Sequence, residues 1–359
     1  ENPGWYTSYT PYQAEISQGR LEALLNFQTM ISDLTALPIA NASLLDEGTA
    51  AAEAMAMFFN TRPRAAVKAG ANKFFIANGV FPQTLDVLKT RARPLGIELV
   101  TGRCDHVELN EDFFGALLQY PDERGAIRDF SSFVDAASSL DIPVGVAADI
   151  MSLAVLTPPG EWGASVVVGS TQRFGVPMGY GGPHAGYFAT TEKYKRNIPG
   201  RIIGVSVDAS GDPALRMALQ TREQHIKRER ATSNICTAQA LLASMAGMYA
   251  VYHGPEGIRE IAMDIHYMTI TLANELVKIG TRVKNDYFFD TLEIVLPESL
   301  GSSEIMKVAL AQKINFRYID NQTIGISLDE TTTLEDLSDI VGVFNAALDV
   351  EAEELLISG

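Results

Sequence analysis

Cysteine is nearly missing from this chain of 359 residues. Only Cys104 and Cys236 occur. They lie far apart and in no ligand-like spacing, which argues against a disulfide framework and a cysteine-built metal site. A reducing, intracellular compartment fits best. Positive charge is also scarce: 28 Lys and Arg stand against 44 Asp and Glu, for a net charge of -16. Phosphate backbones are held by lysine and arginine, so a nucleic-acid partner is not expected. Low-complexity tracts and short-period repeats are absent. Ile235 to Tyr252 carries no formal charge, but it contains Thr237, Gln239 and Ser244 and is rich in alanine. It sits at the short limit for a bilayer span and reads as a buried helix, not a membrane segment. The chain opens on Glu1 and not on Met, so it reads as trimmed, with targeting signals missing from view.

What is present is an ordinary globular composition, 47% hydrophobic and 20% charged. At roughly 100–200 residues per domain, the length predicts two domains. Thr10, Pro11 and Gln13 form a helix start, with Ile16, Leu24, Met30, Ile31 and Leu34 at helical spacing until Pro38. Strand-like segments at 73–77, 97–100, 144–148, 164–168 and 186–190 then alternate with helical patterns at 83–91, 111–118 and 129–140. Such alternation implies crossover units and a largely parallel, buried sheet. Past His253-Gly-Pro-Glu the pattern changes to a long helix (256–279), strands at 290–296 and 323–328, and helices at 304–313 and 333–348. The reading is α/β: a large domain over 1–255 and a small α+β C-terminal domain over 256–359.

Four segments carry candidate chemistry. In Asp46-Glu-Gly-Thr, Gly48 and Thr49 open a helix whose free amides suit a phosphate, or simply cap a core helix. Asp149 falls at the C-terminal end of a central strand, where ligands of open α/β sheets bind. It suits a protonated pyridine nitrogen, or an N-cap for Ile150-Met151. From Val168 to Phe188 a strand feeds Gln172, a loop with Gly175, Gly179, Gly181 and Gly182, then His184 and another strand. A long glycine-rich loop inside a compact domain is usually functional. Arg222, Lys227, Arg228 and Arg230 form a basic cluster in an acidic chain. They suit an anionic partner, or a solvated face with internal ion pairs.

Longer runs resemble one family. Asn2-Pro-Gly-Trp-Tyr-Thr, Tyr9-Thr-Pro-Tyr-Gln and Ile16-Ser-Gln-Gly-Arg-Leu are similar to the start of the conserved region of glycine cleavage system P-proteins. The segment Ala40 to Met55, the Gln172 loop, Gln220 to Ile226, Ser233 to Leu241 and Gly325 to Thr333 extend the likeness over essentially the whole chain. The resemblance implies fold type I of the pyridoxal-phosphate (PLP)-dependent transferases, with a mostly parallel seven-stranded sheet in the large domain. P-proteins resemble two such units, joined or separate, and the Gly325 to Thr333 tail is more like the joined type.

This chain then corresponds to the N-terminal half. The second half carries the Schiff-base lysine, and Gln172 occupies the corresponding place here. A glutamine amide cannot form an imine, so no catalytic residue is expected in this half. Asp149, Gly48 and Thr49 become relics of a ring-nitrogen partner and a phosphate seat. The implied activity is glycine dehydrogenase (decarboxylating), an oxidoreductase acting on a CH–NH2 group with a disulfide acceptor. Glycine is decarboxylated and its aminomethyl group passes to the lipoylated H-protein, with PLP bound covalently by the partner half. The isolated chain is expected to be inactive, and no metal is expected. Tyr6, Tyr9 and Tyr12 are candidates for a wall of the partner's active site, with His184 facing the partner across the glycine loop. Arg222, Lys227, Arg228 and Arg230 are candidates for docking the acidic H-protein or glycine's carboxylate. The compartment is cytoplasmic in a bacterium and the mitochondrial matrix in a eukaryote. Two alternatives stay open: a non-catalytic assembly or regulatory paralogue, and a self-sufficient PLP enzyme using Lys193, Lys195 or Lys227.

Overall fold

The computed structural model describes residues 18–219, 224–231, 233–235 and 238–348, with the side chains of Gln224 and His225 left aside. The helix start at Thr10 and the tyrosines at 6, 9 and 12 lie outside the described residues. The chain divides into two compact units. One runs to Tyr120 and resumes over Asp129–Ile258; the other joins Pro121–Arg128 to the chain from Arg259 onward.

In chain order, the first unit holds α1 (Gln18–Thr35), β1 (Ile39–Ala40), α2 (Glu47–Asn60), α3 (Arg64–Ala69), β2 (Lys73–Ala77), α4 (Pro82–Ala92), β3 (Glu98–Gly102) and β4 (Phe113–Tyr120). It continues with α5 (Ser131–Ser139), β5 (Val144–Ala148), β6 (Val166–Ser170), β7 (Gly186–Thr190), β8 (Ile202–Val207), β9 (Pro213–Ala218) and the short α6 (Gln224–Lys227). Seven strands form one sheet in the order β1-β7-β6-β5-β4-β2-β3. Neighbours from β3 to β6 pair in parallel, and β7 alone runs against the rest.

The sheet is a buried one. Strand β4 is covered at all eight positions, and β5 at all five. Helix α2 lies on the sheet with Ala50, Ala51, Ala52 and Ala54 fully buried, so its backbone comes close to the strands. Its Met55, Met57 and Phe58 pack with Phe74, Phe114, Leu117, Val166, Val168 and Phe188. At about 25 cal/mol per Å² of apolar surface, this core dominates the stability of the unit.

One expected element changes type. Residues 111–118 read as helical, yet Phe113–Tyr120 is the interior strand β4, between β5 and β2. The run Phe-Phe-Gly-Ala-Leu-Leu is apolar throughout because both faces of the strand are covered, and such a run has no period to tell strand from helix. The hairpin β8–β9 was not anticipated. Its register runs from Ile202↔Ala218 to Val207↔Pro213. Two glutamines of α1 hold it. Buried Gln28 donates from Nε2 to the Ile203 carbonyl (3.1 Å) and accepts the Ile203 N–H (2.8 Å). Gln18 makes the same exchange with Leu215.

Helix α7 (Ala240–Lys278) carries the chain from the first unit into the second and breaks at Gly254, whose φ is 68°. The apolar run from Ile235 feeds into this helix. Among the described residues, no helix is long and apolar enough to cross a membrane. The second unit adds β10 (Arg282–Val283), β11 (Thr291–Val295), α8 (Ser302–Ala311), β12 (Arg317–Tyr318), β13 (Thr323–Ser327) and α9 (Leu334–Leu348). Its four strands are antiparallel in the order β10-β11-β13-β12. Leu292, Ile294, Ile324 and Ile326 face Leu276, Ile305, Leu337 and Phe344 in a separate core.

Candidate functional site

The chemistry-bearing residues meet at the edge formed by the C-terminal ends of β4, β5 and β6, where open α/β sheets bind ligands. Asp149 follows β5 directly. Its backbone N–H donates to the Tyr120 carbonyl at the end of β4 (3.0 Å). Its Oδ1 accepts the Met151 N–H (3.2 Å), and its Oδ2 accepts Arg173 Nη1 (2.7 Å). Asp149 thus holds the N–H two residues on, although Met151 is the cap of the short turn Ser152–Ala154, and its charge faces an arginine of its own chain. Among the described residues, Arg173 is a cationic partner of the carboxylate.

Fully buried Tyr187 reaches across from β7 and donates its hydroxyl to the Ala148 carbonyl (2.8 Å), one residue before Asp149. Burial, with the nearby Glu47 and Asp149 charges, holds that phenol well above its ordinary range. Gly169 in β6 makes this crossing possible, because a Cβ there would collide with the Ala148 carbonyl and the Tyr187 ring.

Gln172 stands just past β6, half-buried, with its N–H on Ser170 Oγ (3.1 Å). Before it, buried Thr171 donates both its N–H and its hydroxyl to the Ala185 carbonyl (2.8 and 2.9 Å), closing the base of the glycine-rich loop. The loop tip puts Met178 and Tyr180 into solvent. His184 ends the loop half-buried, with Nδ1 covered and no hydrogen-bond partner in the structure.

Helix α2 begins at the same edge. Asp46 caps it, accepting the Thr49 N–H at 2.6 Å. Gly48 serves packing: a Cβ there would meet Val87 of α4 at 3.2 Å. Glu47, which carries no role in the sequence reading, is a perturbed carboxyl of the edge. Burial pushes its pKa up to about 7, hydrogen bonds from Thr84 and Gln119 oppose this, and the Asp149 and Asp46 charges add to it. The sequence signal for it was its place just before Gly48 and Thr49 at a helix start.

Among the described residues, no contact draws the remaining candidates to this edge. Lys227, Arg228 and Arg230 are exposed around α6, with Arg228 in a left-handed conformation (φ 52°). Arg222 lies outside the described residues. Lys193 lies over the Tyr194 ring at 5.3 Å, and exposed Lys195 pairs with Glu192 at 2.7 Å. Among the described residues, no cluster suits a metal ion.

A PLP held at this edge needs an amine, a carboxylate oxygen for the ring nitrogen and a seat for a phosphate dianion. The residues present do not fit it. Position 172 offers an amide. Asp149 is already engaged at both oxygens. The first turn of α2 carries the Asp46 and Glu47 carboxyls, and Asp46 already takes the Thr49 amide.

The sheet order, the antiparallel β7 and the second α+β unit define a fold type I PLP-transferase architecture. Aspartate aminotransferase from Thermus thermophilus shares this fold, with a TM-score of 0.65 at 14% identity over 97% of this chain and 96% of that one. Residues 1–344 match the profile of the glycine cleavage system P-protein. The chain belongs to that family. A glycine dehydrogenase (decarboxylating) of Flavobacterium johnsoniae is 58% identical over 352 residues, covering 98% of this chain and 37% of that protein. Its counterpart in Nostoc sp. is 59% identical over 96% of this chain and 34% of its own length. A crystal structure of a glycine decarboxylase (P-protein) in inhibitor-bound form superposes with a TM-score of 0.86 at 33% identity, over 95% of this chain and 79% of that one. The chain thus spans little more than a third of the curated relatives it matches.

Proposed function

We propose that this chain is the lysine-less N-terminal half of a PLP-dependent glycine decarboxylase, and that it completes an active site whose lysine lies on the C-terminal half. The observation that carries the reading is Gln172. It follows β6 at the mouth of the glycine-rich loop, beside an aspartate at the end of β5, and brings an amide where imine chemistry requires an amine. In the complete enzyme PLP would supply the electron sink. This half would supply walls, orientation and charge.

The substrate is glycine, and the lipoylated H-protein takes up the aminomethyl group. Tyr6, Tyr9 and Tyr12 are assigned to the wall of the partner's site, with His184 and the glycine loop facing it. The basic residues Arg222, Lys227, Arg228 and Arg230 are assigned to docking the acidic H-protein or glycine's carboxylate. Gly48, Thr49 and Asp149 are vestiges of a cofactor seat.

The test is borohydride trapping after incubation with PLP. The chain alone should yield no reduced lysine adduct and release no CO2 from glycine. Both should appear once the remainder of the parent protein is added, with the adduct on the added part. An adduct on Lys193, Lys195 or Lys227 of this chain would overturn the division of labour.

A further inference from the structure

The geometry points to a seat for a flat cation on Asp149, which this chain fills with its own Arg173. The proposal rests on reading the strand-end edge as a former cofactor site, and it concerns what took the cofactor's place. Asp149 cannot swing freely. Its N–H is fixed to the Tyr120 carbonyl, the preceding carbonyl is fixed by Tyr187, and Oδ1 is fixed by the Met151 N–H. The Arg173 guanidinium meets the other oxygen, Oδ2, at 2.7 Å. Arg173 is anchored from its own side. The Phe174 N–H donates to the Thr171 carbonyl, and the fully buried Phe174 ring stacks on Tyr249 with centroids 5.2 Å apart. The two charged side chains are only 22% and 23% exposed, so the pair is partly withdrawn from water.

A fixed carboxylate oxygen facing a flat, delocalised cation with an in-plane N–H is also what a protonated pyridine requires. The ligand class is therefore a planar monovalent cation. A guanidinium is charged at every physiological pH, whereas a pyridine is not, so the internal occupant keeps the seat closed. The acidic neighbours Asp46 and Glu47 favour cations there and oppose a phosphate. The Asp149 charge is thus countered from within, and the same pair pins the start of the glycine-rich loop to the end of β5.

Chemical rescue tests this. Arg173→Ala takes the guanidinium off Asp149 Oδ2 and should lower the thermal midpoint. Addition of 4-aminopyridine, a flat cation protonated on its ring nitrogen at neutral pH, should raise the midpoint of the variant by about 2 °C or more. Tetramethylammonium at the same ionic strength has neither a flat face nor an N–H and should not. The wild-type chain, its seat filled, should not respond, and neither should the Asp149→Asn/Arg173→Ala double variant. An absent response in Arg173→Ala overturns the seat, as does an equal response in wild type or in the double variant. Should Arg173→Ala not fold, Arg173→Gln carries the test by equilibrium dialysis. Retention of 4-aminopyridine at least about fivefold tighter than wild type, about 1 kcal/mol, supports the seat, and equal retention overturns it. Borohydride trapping addresses the underlying reading separately, so the two failures are distinguishable.

Discussion

The Thr84 hydroxyl donates to Glu47 Oε1 across 3.3 Å, joining α4 to the first turn of α2 at the edge where β4 and β5 end. Glu47 is half-buried there, beside two other carboxylates, and its pKa is pushed up to about 7, chiefly by burial. A carboxyl whose folded pKa is raised stabilises the fold fully below its unfolded value, near 4.5, and loses that contribution as pH climbs through about 7. Wild-type stability should therefore fall with rising pH across this window. Glu47→Gln keeps a neutral partner for Thr84 and should flatten the slope. Relative to wild type, it should gain roughly 1–3 kcal/mol between pH 4 and pH 8, discounted for partial exposure. Urea midpoints measured at several pH values check this, and parallel curves for the two proteins would sink it.

Gly125 should tolerate no side chain. It has φ +82°, and a Cβ there would be driven into the Thr291 carbonyl. The turn around it is tightly specified, since Asp122 Oδ1 accepts the N–H groups of both Arg124 and Ala126 at 2.9 Å. Gly125→Ala adds left-handed strain to a backbone clash and should cost about 2–4 kcal/mol. Hydrogen exchange should show the loss in the second unit, at the β11–β13 ladder. Unchanged protection there would contradict the argument.

Glu293 is buried in β11 and takes two cations, Arg124 at 2.6 Å and Lys284 at 2.9 Å. Its backbone N–H is accepted by Asn285 Oδ1 at 3.0 Å. Both cations keep access to water, so removing the acid does not strand a fully buried charge. Glu293→Ala is expected to cost about 2 kcal/mol, mostly through the lost charge-assisted hydrogen bonds. Glu293→Gln should recover part of that. A guanidinium denaturation series on the three proteins settles the order.

Arg228 is exposed, and the proposed docking of H-protein is electrostatic. Arg228→Glu in a complete enzyme should raise the Michaelis constant for H-protein or for glycine several-fold at low salt, and unchanged constants for both would sink the assignment. The difference should shrink as ionic strength shortens the screening length to about 8 Å. An effect that salt does not alter would point to a packing role.

Much of this protein was written in local sequence. Strands β2, β5 and β7 fall where the apolar runs 73–77, 144–148 and 186–190 put them. The helix start at Gly48 and Thr49, the end of β5 at Asp149 and the turn after β6 at Gln172 followed from local patterns, because helix starts and strand ends depend on near neighbours in the chain. The longer matching runs pointed to the family, and the resemblance implied that Gln172 occupies the place of a lysine, where an amide cannot act as an amine.

What the sequence left open depends on partners distant along the chain. Strand β4 read as a helix because its apolar run only means "covered on both faces" once β2 and β5 flank it. The β8–β9 hairpin is fixed by Gln18 and Gln28, each at a separation of 175 residues or more. Arg173 gave no sign of its role, since a lone arginine in a loop is usually solvated. Only the fold brings it to Asp149, 24 residues earlier. Glu47 passed as part of a helix start until burial and two nearby carboxylates raised its pKa. Local sequence set the elements and the residue that cannot form an imine. Tertiary packing decided which charges meet, because desolvation and Coulomb energy depend on distances in space and not along the chain.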